Sequence, residues 1–167
     1  MMEIREERQS DRDAVAALNT AVLGDAEARL VQALHRDGDV LVALVAVEDG
    51  EIVGHILFSK LPIETDDGVM FAAALAPMAV RADRQLRGIG SALVRKGLAT
   101  ARDRGATAAV VLGHPGYYPR FGFSANWAQG LESPYSGSDA FMAMELVPNG
   151  LGTGDGVLHY APAFGDL

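Results

Sequence analysis

Two glycines open a helical pattern just after an apolar strand pattern closes. The segment is Gln85-Leu86-Arg87-Gly88-Ile89-Gly90-Ser91, preceded by Met78-Ala79-Val80 and a short basic loop. The first turn of a helix carries N–H groups without intrahelical partners, and the helix dipole adds partial positive charge there. Glycines let phosphate oxygens approach those amides. The pattern therefore suits a pyrophosphate. It is not a P-loop, because no GxxxxGK[ST] occurs. It is not a dinucleotide fingerprint either, since Leu93 stands where the third glycine belongs.

A second chemical cluster lies downstream in Tyr117-Tyr118-Pro119-Arg120-Phe121-Gly122-Phe123. By position alone Tyr118 reads as a core aromatic beside Phe121 and Phe123. The histidines His35, His55, His114 and His159 show no metal-ligand spacing, so no metal is expected. The chain has no cysteine, which excludes a thiol nucleophile and a disulfide framework. No G-x-S-x-G elbow supports serine hydrolysis.

Taken in order, the Q-x-x-G-x-G of Gln85–Gly90 and the Tyr-Tyr-Pro-Arg-Phe-Gly-Phe segment resemble the two motifs of the GCN5-related N-acetyltransferases (GNAT). Val110-Val111-Leu112-Gly113-His114-Pro115, Pro134-Tyr135, Phe141–Leu146 and Gly54 are similar to the YhbS-like predicted acetyltransferase branch of that family. The resemblance implies acetyl-CoA as cosubstrate and direct attack of an amine within a ternary complex. It implies that Met78, Ala79 and Val80 hold the pantetheine arm. Gln85, Leu86, Arg87, Gly88, Ile89, Gly90 and Ser91 would hold the pyrophosphate. Tyr118 would be the general acid for the departing thiolate, with Tyr117 as the fallback. Ordinary phenol and thiol pKa values, roughly 10 and 8.5, allow that transfer.

The general base is open. The strand before the motif, Val69–Val80, has no ionisable residue and so offers no side-chain base. Glu64, His114 and His55 are the candidates. The missing strand carboxylate also motivates an alternative, a non-catalytic acyl-CoA-binding regulatory module on the same fold. Trp127 and the loop 124–139 would line an acceptor pocket or cover the core.

These residues need a strand, a turn and a helix to present them. Ile4–Arg8 reads as a strand, with Ser10 capping a first helix and Asp25 a second. Leu41–Val47 and Ile52–Leu61 flank an Asp49-Gly50 hairpin turn, and Pro62 is expected to end the second strand. Val69–Val80 follows, with pairing expected to fail at Pro77. Ile89–Arg104 has helical spacing, Ala108–Leu112 reads as a buried strand and Pro115–Phe121 as a short helix. Phe141–Leu146 and Val157–Tyr160 read as the last strands. The order implies an α/β domain with a mixed sheet and helices on its faces. With the resemblance, this becomes a mostly antiparallel GNAT-like sheet, splayed at the CoA site. One domain spans 1–167, with a core of about 2–147 and a C-terminal extension of 148–167.

A net charge of −8 argues against nucleic-acid partners. Within Arg81–Arg104, however, seven basic residues face two acidic ones, which suggests one anionic ligand. No apolar run is long enough to span a membrane. The expected setting is cytoplasmic, the expected partner a small-molecule or peptide amine, and the expected state a monomer or homodimer.

Overall fold

The computed structural model describes residues 1–166. Strand β1 (Met2–Glu6) leads through a 3-10 turn into helices α1 (Arg12–Val22) and α2 (Asp25–Asp37). Ser10 does not cap α1, contrary to expectation. The carboxylate of Asp11 instead accepts the Arg8 N–H at 2.7 Å and is gripped by Arg5 at 2.7 and 3.0 Å. Before α2 the cap position belongs to Gly24 rather than Asp25. Its φ of 117° is one that an L side chain rarely adopts.

Strands β2 (Val40–Glu48) and β3 (Glu51–Thr65) make the expected hairpin. Asp49 and Gly50 between them have φ of 52° and 79°, the paired positive angles of a type I′ turn. Strand β3 runs on through Pro62, which the sequence expected to end it. The Pro62 carbonyl accepts the His159 N–H at 3.0 Å. Its nitrogen therefore faces the same edge, beyond the start of β2, where no ladder donor is required.

The remaining elements are β4 (Gly68–Val80), α3 (Ile89–Asp103), β5 (Ala108–Leu112), β6 (Leu131–Glu132), β7 (Phe141–Glu145) and β8 (Gly156–Leu158). The expected helix over Pro115–Phe121 is only a 3-10 turn at Tyr118–Phe121, because Pro119 removes a helical donor inside a very short segment. The two-residue β6 is an addition to the expected elements.

The sheet runs β1-β2-β3-β4-β5-β7, with β8 added antiparallel beside β3 and β6 beside β8; every pair is antiparallel except β4–β5 and β6–β8. Alternate residues divide its faces. Leu44, Ile56 and Phe58 meet Leu93, Val94 and Leu98 of α3 on one side. Val45 and Leu57 meet Val15, Leu30 and Leu34 of α1 and α2 on the other. The C-terminal segment adds a third cluster, with Leu131, Leu151 and Leu158 over Leu61, Ile63 and Val110.

Glycine allows α3 to sit this close. A Cβ at Gly54 would stand 3.0 Å from Leu93 and 3.1 Å from Ile89, so the first turns of α3 rest on the β3 backbone. A Cβ at Gly97 would stand 2.2 Å from the fully buried Phe58 ring. Gly97→Ala gains about 1 kcal/mol of helix propensity. It forces an overpacked core that costs typically ~1–3 kcal/mol, more at so short an approach. The expected net result is a lower Tm by calorimetry, by several degrees, without loss of two-state unfolding.

Candidate active site

Two features of β4 create the site. Ile56 pairs with Met78 and Phe58 with Leu75, so Ala76 and Pro77 together oppose Leu57. That is a bulge, as expected at Pro77. The parallel ladder to β5 also stops at Leu75–Val111. Met78, Ala79 and Val80 continue against β3 alone, and β4 and β5 part beyond that point.

Past Val80 the chain folds into the turn that starts α3. The Gln85 side chain donates to the Val80 carbonyl at 2.9 Å and fastens the loop. Leu86 is fully exposed with φ of 65°, and Gly88 takes the position before α3 with φ of 84°. No side chain caps α3. Among the described residues, no carbonyl takes the N–H groups of Ile89, Gly90 or Ser91. A Cβ at Gly88 would meet nothing within 4 Å, while one at Gly90 would lie 3.3 Å from the Tyr117 hydroxyl. The turn is an open cradle of amides, and its chemistry fits a pyrophosphate.

The local basic charge is smaller than the sequence suggested. Arg81 is held by Asp83 at 2.7 Å and Glu51 at 2.9 Å, and Arg84 by Glu48 at 2.6 Å and Asp83 at 2.9 Å. Arg104 pairs with Glu6. Lys96 donates to the Ile4 carbonyl at 3.0 Å. Arg95 lies over the Phe121 ring, 5.1 Å from its centre. Arg87 is left exposed beside the turn, without an ion pair among the described residues.

The two adjacent tyrosines separate. The Tyr117 hydroxyl is 3.0 Å from Ser91 Oγ, at the helix turn. Tyr118 instead lines a cavity of about 360 Å³ in the opening between β4 and β5, together with Pro77, Met78, Gly113 and His114. Its ring packs edge-on against Phe123 and so closely on Gly113 that a Cβ there would be 2.4 Å away. Burial, with a smaller contribution from Tyr117, pushes the Tyr118 hydroxyl up to about 12. It stays protonated at neutral pH and can only donate or accept a hydrogen bond there.

The three base candidates fall in three places. His114 lines the cavity with Tyr118. Glu64 does not reach it: its partner Val69 lies nine residues before Met78, roughly 30 Å of strand at about 3.3 Å per residue. Glu64 contacts His159 at 3.2 Å instead.

His55 is fully buried in a polar cluster under α1 and α2. Its Nε2 is 2.8 Å from Glu7 Oε1 and its Nδ1 3.3 Å from Asn19. His35 Nε2 lies 2.9 Å from Glu7 Oε2, close but outside hydrogen-bonding direction. Burial alone would raise the Glu7 carboxyl; the imidazoles of His35 and His55 outweigh it and hold it at about 2. A folded-state value below the unfolded one means stability present above about pH 4.5 and lost as pH falls towards 2. Thermal melts of Glu7→Gln should show a flatter pH dependence than the parent across that window.

Residues 3–125 match the family described as Acetyltransferase (GNAT) domain. The chain belongs to the GNAT acetyltransferases. This GNAT chain is 32% identical over 151 residues to the uncharacterised N-acetyltransferase YhbS of Escherichia coli (strain K12), covering 89% of each. It is 34% identical over 131 residues to YjhQ of the same organism, covering 76% of this chain and 72% of that one. The structure of E. coli YhbS in complex with CoA superposes with a TM-score of 0.89, covering 98% of this chain and 92% of the other. A GNAT acetyltransferase of Brucella melitensis in complex with acetyl-CoA gives 0.81 at 33% identity, covering 98% of both.

The GNAT sheet also shows where the loops go. Trp127 is partly exposed and does not line the cavity, whereas Tyr135 does. Leu23, Glu27 and Leu30 from the α1–α2 junction, and Tyr160 and Phe164 from the C-terminal segment, complete the wall. Sequence reading missed all five. Tyr160 reads there only as part of a last strand. Among the described residues, no helix is long and apolar enough to cross a membrane, and no group of His, Cys, Asp and Glu could hold a metal ion.

Proposed function

We propose that the chain transfers the acetyl group of acetyl-CoA to a primary amine of a small molecule or peptide, by direct attack within a ternary complex. One juxtaposition carries this reading: Met78, where β4 has left β5, lines the cavity with Tyr118 and also reaches to 3.6 Å from where a Cβ of Gly90 would stand, in the uncapped, glycine-opened helix turn. That the similar YhbS and Brucella proteins were obtained with CoA and acetyl-CoA supports it.

Acetyl-CoA supplies an activated thioester. The amides of Ile89, Gly90 and Ser91 receive the pyrophosphate, and Gln85 holds the loop that presents them. Backbone groups of Met78, Ala79 and Val80 that no longer face β5 align the pantetheine arm. Tyr118 keeps its proton for the leaving sulfur. Its raised value does not defeat that role, since the same desolvated site disfavours a free thiolate as well. His114 accepts the proton that the amine must lose. A cavity of about 360 Å³ is at the small end of ligand sites, ~300–1000 Å³, and favours a small acceptor.

Purified protein given acetyl-CoA and a panel of primary amines should release free thiol and acetylated amine in equal amounts. Tight binding of acetyl-CoA with no transfer to any amine would favour the binding-module reading.

A further inference from the structure

The cavity beyond Tyr118 has a chemical character of its own. Its lining includes one carboxylate, Glu27, and one imidazole, His114, and no lysine or arginine borders it. Glu27 sits in the first turn of α2, half-buried, across from the sheet. Its Oε2 turns back towards Gly24, 3.6 Å from where a Cβ would stand. No side-chain cap bond uses it there. Among the described residues no cation pairs with it.

An acidic residue in a first helical turn is ordinarily explained by the helix dipole. Asp25, in the same turn, fits that explanation, being exposed and outside the cavity. Glu27 shares that turn, its carboxylate near Gly24, but unlike Asp25 it also borders the cavity, whose remaining lining is largely apolar and aromatic. Tyr135 and Tyr160 meet edge-on at 5.6 Å, and Tyr160 and Phe164 at 5.4 Å. They form a continuous aromatic wall on the same cavity. A carboxylate with no protein cation, beside aromatic faces, attracts a cation by charge and by ring quadrupole together.

We infer that Glu27 and the Tyr135–Tyr160–Phe164 wall recognise the acceptor. Its class is a small organic cation, an ammonium carried on an apolar or aromatic body. Glu27 is a specificity-determining residue: it holds the positive charge, and the aromatic wall covers the body. The assignment deepens the acetyl-transfer reading and rests on it for the word acceptor, but its binding chemistry can be measured without turnover.

The test uses the full chain loaded with CoA, which cannot react. It is titrated by calorimetry with 2-phenylethylammonium and with 2-phenylethanol, which share a carbon skeleton and differ in charge. The parent should bind the cation at least tenfold more tightly than the alcohol. Glu27→Gln should erase that preference, Glu27→Asp should keep part of it, and Asp25→Asn, the same charge change two residues earlier and outside the cavity, should keep it whole. Circular dichroism confirms that each variant is folded. Equal affinity for the two ligands in the parent, or a preference that survives Glu27→Gln, overturns the assignment. So does equal loss in Asp25→Asn, which would reduce the effect to general negative charge. With acetyl-CoA in place of CoA, a parent that prefers the cation yet acetylates no amine would count against acetyl transfer and leave the Glu27 site standing.

Discussion

Tyr118→Phe should lower kcat by about 10²- to 10⁴-fold, the usual contribution of a positioned acid, while changing acetyl-CoA affinity less than about twofold. Phenylalanine keeps the ring that fills the space over Gly113 and meets Phe123 edge-on, so the core and the cavity wall stay in place. What is lost is one O–H on the cavity wall, the donor proposed for the leaving sulfur. Tyr117→Phe is the matched control. It removes the hydroxyl 3.0 Å from Ser91 Oγ, so its effect should appear in acetyl-CoA binding and not in kcat. Steady-state kinetics with calorimetry on both variants separates the roles. An unchanged kcat in Tyr118→Phe, across the whole pH profile, would remove the acid assignment. Because burial holds the Tyr118 hydroxyl up to about 12, its ionisation should cause no loss of rate in the parent below about pH 10.

The second large effect is expected at the helix turn. Gly90→Glu should weaken acetyl-CoA binding by at least about 100-fold, roughly 2.7 kcal/mol. Two causes act together. The new side chain starts 3.3 Å from the Tyr117 hydroxyl and 3.6 Å from Met78, so it must project into the cradle. Its charge then faces the phosphate it displaces. Gly90→Ala separates the two causes. Its Cβ meets the far end of a tyrosine that can shift by tenths of an ångström, and binding should fall only a few-fold. Equal affinity for acetyl-CoA in Gly90→Glu and the parent, both folded, would move the pyrophosphate elsewhere.

The site was legible in the sequence where it is built from backbone and short spacing. Gln85–Ser91 and the break at Pro77 are local: glycines, a proline and a change of hydrophobic period report conformation directly. The Asp49-Gly50 hairpin was legible for the same reason. The Arg81–Arg104 charge was misjudged because its neutralising partners, Glu48 and Glu51, come from a hairpin thirty or more positions earlier. The base candidates could not be sorted by sequence either. His55 and Glu64 lie on one strand, yet one is locked in a buried cluster and the other sits at the distal end of the hairpin. Pairing register alone decides that. Glu27 was invisible because nothing near it in the chain marks it; only the approach of α2 and the C-terminal segment to β4 and β5 does.

The matched family region ends at residue 125, before Tyr135, Tyr160 and Phe164 enter the cavity wall. The proposed acceptor wall thus combines Glu27, inside the matched region, with aromatic residues from the chain beyond it. The aromatic wall hangs on β6, β8 and the final 3-10 turn, secured to β3 by the two pairs Ile63–Leu158 and Glu64–Val157. Buried Leu131, Leu151 and Leu158 and the pairing of β7 with β5 anchor this stretch, so only the loops between those anchors could be exchanged or lengthened without moving Met78, Gly90 or Tyr118. Divergence between such enzymes would then be a matter of tailoring one end while the machinery beneath is inherited unchanged.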